Sequence, residues 1–293
     1  MNSKIFADLA YSILNRKCVI FIGSGVTADS GGATWSELVT YLKDEYKYQS
    51  PLNDNFEIVS DICRKNGIER VYEKIKERLK NAKLSGPLLK LMELPWFSAF
   101  TTNYDTALED ALKSKQELKI RILVTGNEFE LDSYPSELLC IKLMGSLDFP
   151  YGQEGSMIIT KEELSKAKEE RSRLYGYLER HAANLSFLFI GYSFNDEIFL
   201  DILNKLRAYI GPKGNNYYVV FREKDKPDQE REYFLKQNGV TSIIDEIANF
   251  SNKLMEEISL RNVKDYTKVR VIYGKNILSI DATRVSQFLY DYS

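Results

Sequence analysis

Five short stretches of the chain are apolar at nearly every position and are bounded by Gly, Pro or polar residues: 18–22, 97–101, 138–143, 187–190 and 217–221. Unbroken apolar runs of this length are how strands covered on both faces of a parallel sheet present themselves, whereas a half-exposed strand alternates. Two weaker runs, 240–244 and 120–124, extend the set, the second as an edge strand. Between them the apolar positions change to helical spacing over 34–46, 56–64, 68–79, 106–113, 161–183, 198–209 and 246–262. The first fifteen residues carry Ile5, Leu9 and Ile13 at four-residue intervals, an amphipathic helix interrupted by Asp8.

Strands alternating with helices predict an α/β fold, a Rossmann-like, mostly parallel sheet flanked by helices. The stretches 36–95 and 152–184 are longer than a crossover needs and rich in Lys, Glu and Leu, which predicts a helical subdomain inserted over the sheet. The expected organisation is a single domain over 1–293. Its sheet core lies in about 1–35, 96–150 and 185–250, and about 264–293 form a C-terminal extension with a last helix over 281–290. That extension packs on the sheet, makes an oligomer contact or leads into a further domain.

The 293 residues include 40 basic and 42 acidic side chains, a formal net charge of -2, so overall charge gives no support to nucleic acid or an anionic membrane as partner. No apolar run approaches the ~18 residues of a membrane span, and the N-terminus lacks the apolar core of a signal peptide. Cys18, Cys63 and Cys140 are scattered, with no C-x-x-C pair. This predicts buried thiols in a reducing cytoplasm and no zinc ribbon.

Four strand exits carry chemistry. After the first strand comes Gly23-Ser24-Gly25-Val26-Thr27, a loop that suits either a phosphate or a plain strand-to-helix turn. It lacks the Lys-Ser/Thr ending of a P-loop. Thr101-Thr102-Asn103-Tyr104-Asp105 offers an amide and a carboxylate two residues apart, which either meet ribose hydroxyls or cap the following helix. Lys142-Leu143-Met144-Gly145-Ser146 and Gly191-Tyr192-Ser193-Phe194-Asn195-Asp196 follow two further strands. Parallel strands end on one edge, where open α/β sheets bind ligands, so the four together favour a nucleotide cleft.

In this order and spacing the segments resemble the sirtuin-like domain, particularly the zinc-free form of bacterial anti-phage defence proteins. That family shows Gly-Ala/Ser-Gly, Thr-x-Asn-x-Asp, Lys-x-His-Gly and Gly-x-Ser-x-x-Asp segments, and Trp35 to Val39 fits its helix after the first loop. The resemblance, over roughly 15–250, implies NAD bound between a Rossmann-like sheet and a helical subdomain. Gly23, Ser24, Gly25 and Thr27 would hold the pyrophosphate, and Ser193 would contact ribose or phosphate beside Gly191. Asn195 and Asp196 would lie near the adenosine, with Gly145 and Ser146 also at the cofactor. Asn103 would orient the nicotinamide ribose and attacking water, and Asp105 would read the carboxamide or ribose. The implied reaction is hydrolysis of NAD to nicotinamide and ADP-ribose, without zinc, in a cytoplasmic protein that forms homo-oligomers or works with a partner of a defence system.

Met144 departs from the pattern, standing where the family has its catalytic histidine. A thioether takes no proton near neutral pH. Three readings follow: a slow hydrolase that relies on Asn103 and the pocket, a catalytically impaired module that binds NAD or ADP-ribose, or an altered protein whose native residue was histidine. His181, the one histidine, sits on a helix leading to the wrong end of a strand and reads as structural.

Overall fold

The structure, a computed structural model, describes residues 3–28, 30–49, 51–84, 86–116, 118–128, 137–193, 197–207, 217–265, 268–273 and 276–281. Seven strands, β1 (Cys18–Ile22), β2 (Ser98–Thr101), β3 (Lys119–Leu123), β4 (Glu137–Lys142), β5 (Ser186–Ile190), β6 (Tyr217–Phe221) and β7 (Val240–Ile244), form one sheet in the order β3-β4-β2-β1-β5-β6-β7. Every pairing in it is parallel. β1 lies between β2 and β5, so strand order changes direction beside it, and a crevice opens at the carboxyl ends there. Two further strands, β8 (Lys268–Tyr273) and β9 (Asn276–Asp281), pair antiparallel with each other.

Apolar side chains fill both faces. On one, Ile20, Ile22 and Cys140 meet α1 (Ser3–Leu14), with Leu9 against the sheet, and that face continues through Trp96, Leu108 and Phe250. On the other, Phe21 stacks on Phe100 and on Phe189, each at 4.7 Å, an aromatic row across the three central strands. Each such ring taken from water contributes about 1.5–3 kcal/mol, so this row anchors the strand ends next to the crevice.

Around the sheet run α2 (Trp35–Glu45), α3 (Asn55–Asn66), α4 (Ile68–Leu79), α5 (Gly86–Leu91), α6 (Ala107–Lys115), α7 (Lys161–Glu170), α8 (Ser172–Ala182), α9 (Glu197–Arg207), α10 (Gln229–Gln237) and α11 (Ile247–Asp265). Helices α2 to α4 share a third apolar cluster, which also takes in Met144, Met157, Ile159 and Ala167. Capping boxes start α2 and α7: Thr34 and Thr160 accept the amides of Glu37 and Glu163, whose carboxylates return to the cap amides. No helix among the described residues is long and apolar enough to cross a membrane.

Two expectations change here. The single helix expected over 161–183 is broken at Arg171, which leaves helical geometry (φ -101°, ψ 19°). Its buried guanidinium donates to the Leu143 carbonyl at 2.9 Å and the Ser156 carbonyl at 3.2 Å, a tertiary clamp that outweighs helix propensity. Asp281, expected to open a last helix, instead ends β9, and 282–293 lie outside the described residues.

Candidate functional site

The exits of β1 and β5 pack backbone against backbone. The Gly23 amide donates to the Ile190 carbonyl at 2.8 Å and the Gly25 amide to the Gly191 carbonyl at 2.9 Å. A Cβ at Gly23 would stand 2.6 Å from the Gly191 oxygen, so these glycines are required by loop contact before any phosphate is considered. After Gly23 the chain makes one 3₁₀ turn, Ser24–Val26, whose following amides bond back to Gly23 and Ser24. The next helix is α2, which begins only at Trp35, so the loop does not lead straight into a helix N-terminus.

At the exit of β2, the Thr101 hydroxyl donates to the Ile22 carbonyl at 2.7 Å and accepts the Asn103 amide at 2.9 Å, which turns the chain sharply. Asn103 is 6% exposed, and its Oδ1 has no hydrogen-bond partner among the described residues. Asp105 differs: its carboxylate accepts the Ala107 amide at 3.1 Å and the Thr27 hydroxyl at 3.3 Å. Asp105 thus ties the start of α6 to the β1 loop from one position before the helix cap, Thr106, which makes no side-chain cap bond of its own. Burial raises the Asp105 pKa, and the Lys142 ammonium opposes that rise.

Beyond β4, Met144 is 2% exposed and packs into the third cluster while forming part of the cleft floor. Gly145 has φ +89°, and a Cβ there would lie 2.1 Å from the Ser156 oxygen. Ser146 is buried, its amide donating to the Gly155 carbonyl at 3.0 Å and its hydroxyl accepting the Asp148 amide at 3.4 Å. Gly145→Ala is expected to lower stability by about 1–3 kcal/mol through backbone strain, more where Ser156 cannot shift. Thermal unfolding beside the native chain checks this; an unchanged melting temperature would contradict the crowding.

One cleft of about 640 Å³, within the range of small-molecule sites, opens over these exits. Of the residues expected from sequence, Ser24, Gly25, Asn103, Asp105, Met144, Gly191 and Ser193 line it. Gly23, Thr27, Gly145 and Ser146 do not; they hold the loops beneath. Asn195 and Asp196 lie outside the described residues. His181 packs between Phe97 at 4.8 Å and Tyr177 at 4.6 Å, at the amino end of β2 and so away from the cleft.

Residues 98–243 match the family model of the SIR2-like domain. The chain carries a SIR2-like domain. It is similar to the NAD(+) hydrolase ThsA of Cytobacillus dafuensis, 23% identical over an alignment of 291 residues that covers 94% of this chain and 57% of that protein. ThsA of Acinetobacter baumannii (strain 532279) is 25% identical over 260 residues, 86% of this chain and 52% of that protein. The chain thus spans just over half the length of the curated relatives it matches. A solved structure described as "Structural Basis for the Mechanism and Regulation of Sir2 Enzymes" superposes with a TM-score of 0.51 at 13% identity, over 89% of this chain and all of that one. That likeness is one of fold.

The cleft has further walls that sequence reading missed. Trp35 and Phe56 enter from the helical layer, with ring centres 4.8 Å apart, and Trp35 meets the edge of Tyr104 at 6.0 Å. Arg222, Lys224 and Asp225 enter from the exit of β6, with Arg222 Nε 2.7 Å from an Asp225 carboxylate oxygen. Strand-end reasoning applied once more, to Phe221, would have found Arg222; no local pattern marks Trp35 or Phe56 as lining. Among the described residues no group of three or more His, Cys, Asp or Glu side chains is placed to hold a metal ion.

Proposed function

We propose that this chain hydrolyses NAD to nicotinamide and ADP-ribose, as the NAD-cleaving part of a bacterial anti-phage defence protein. The observation that carries the reading is the meeting, in one cleft, of the β1, β2, β4 and β5 exits around a buried Asn103 whose carbonyl oxygen has no partner among the described residues. Similarity to proteins named NAD(+) hydrolase supports the ligand and the reaction class. The strand order supports one direction for the ligand. With pyrophosphate at Ser24, Gly25 and Ser193, the nicotinamide ribose falls at Asn103 and Met144, and the adenosine runs toward Arg222 and Asp225. From β2 to β6 is three strand spacings, roughly 14 Å, a span that needs an extended ligand.

In the reaction the C1′–N bond breaks and its electron pair leaves with neutral nicotinamide. Water bonds to the cationic sugar carbon, and one proton passes to solvent. Asn103 holds the ribose hydroxyl or the attacking water at that carbon. Met144 takes no proton, so support comes from placement and electrostatics.

Nicotinamide release from NAD, followed by chromatography beside Asn103→Ala, tests this. The native chain is expected to release nicotinamide slowly and the variant roughly 10²–10³-fold more slowly still. The burial of Met144 in an apolar cluster favours a second reading, a domain that binds NAD or ADP-ribose without cutting it. Saturable NAD binding with no release would establish that reading, and absence of both would overturn the assignment of NAD.

A further inference from the structure

Of the buried side-chain polar atoms left without a hydrogen-bond partner among the described residues, two belong to residues lining the cleft: Asn103 Oδ1 and Trp35 Nε1. One is an acceptor and the other a donor. Trp96 shows the ordinary arrangement, its indole N–H donating to the Leu91 carbonyl at 2.8 Å. A buried N–H without a partner costs free energy, and natural proteins keep few of them.

Trp35 stands on the Asn103–Met144 side of the cleft, since its ring meets the edge of Tyr104, the residue after Asn103. Together with Phe56, Tyr104 and Met144 it forms an apolar, mainly aromatic corner, all four lining the cleft. Such a corner suits a flat heteroaromatic ring carrying one polar substituent. The carboxylate of Asp105, which sequence had offered as the reader of that substituent, is engaged by Thr27 and Ala107 and presents acceptors only.

We propose that Trp35 is a specificity-determining residue whose indole N–H donates to the carboxamide carbonyl of the nicotinamide ring. The assignment rests on the NAD reading above and extends it, because it distinguishes the intact dinucleotide from the ADP-ribose left after cleavage. Asn103 then remains free for the ribose and water.

The test compares native protein with Trp35→Phe, which keeps an aromatic ring and removes the N–H. Calorimetry with a non-hydrolysable carbocyclic NAD analogue and, separately, with ADP-ribose gives the two affinities. Loss of one hydrogen bond is expected to weaken the analogue roughly three- to tenfold and to leave ADP-ribose unchanged. The melting temperature of the variant is expected to match or exceed the native value, since an unmatched donor is removed. Equal weakening of both ligands, or of neither, overturns the assignment, as does a lowered melting temperature accompanied by general loss of binding. If native protein binds neither ligand, the NAD reading has failed and the role of Trp35 with it. If native protein binds both and the variant behaves identically, only the role of Trp35 has failed.

Discussion

Met144→His is expected to raise nicotinamide release from NAD by about 10²–10⁴-fold over the native chain, the usual contribution of a placed general base. Met144 already forms part of the cleft floor, at the exit of β4 and beside the Asn103 exit of β2. Its backbone is pinned, the Leu143 amide donating to the Thr101 carbonyl at 2.9 Å and the Ile158 amide to the Met144 carbonyl at 3.0 Å, so a new side chain inherits a fixed position. The imidazole would be buried among apolar neighbours, which costs about 1–3 kcal/mol of stability. Burial also lowers its pKa, as it does for His181, so the neutral, proton-accepting form prevails at pH 7. The gained activity should therefore fall as acid protonates the ring, a limb that the native rate lacks. Steady-state release across pH, with Asn103→Ala made in the same background, checks the argument. A variant that binds NAD yet cuts it no faster would show that more than the base is missing, and the binding-only reading would prevail.

The sheet was legible because its strands are covered on both sides: Cys18–Ile22 and Ser186–Ile190 have no position that water must see, and their sequences show it. The edge strand Lys119–Leu123 was legible for the opposite reason, since its partly exposed positions admit Lys and Arg. The capping residues Thr34 and Thr160 sat where the helical spacing began. What failed was decided by partners distant in sequence. Arg171 breaks a good helical stretch because two carbonyls, Leu143 at the β4 exit and Ser156 in the loop before α7, need a donor there. Asn103 and Asp105 looked equivalent, two residues apart on one exit. The second is committed to Ala107 and Thr27 and the first is left unmatched, a difference that only the β1 loop and α6 in place can impose. Gly23 and Gly191 illustrate a motif with two causes. The glycine spacing suits a phosphate, and the structure shows that the mutual approach of two loops demands it independently.

Lys142→Met is expected to lower stability by about 3–5 kcal/mol, the usual cost of stranding one partner of a buried ion pair. The Lys142 side chain is 0% exposed, and its ammonium lies 2.6 Å from a Glu109 carboxylate oxygen. It also donates to the Asp105 carbonyl at 2.5 Å, so one cation joins β4, α6 and the loop that carries Asn103. Without it, Glu109 has no counter-ion and must either stay charged while buried or take up a proton, and both cost stability at pH 7. The pH dependence identifies the cause. Burial already raises the Glu109 pKa above its ordinary 4.5, with Lys142 opposing that rise. Removing Lys142 raises it further, so in the variant the folded state holds a proton that the unfolded chain has lost. Stability then falls as pH rises above about 4.5 and is regained in acid, where Glu109 is protonated in both states. At roughly 2–4 °C per kcal/mol, the melting temperature should drop by about 6–20 °C at pH 7 and by much less near pH 5. Adding Glu109→Gln should recover part of the loss at pH 7, because the stranded charge is gone, while NAD binding stays weakened for want of the Asp105 tether. A deficit that is independent of pH, and that Glu109→Gln deepens, would mean that Lys142 acts through packing of its carbon stem and not through its charge.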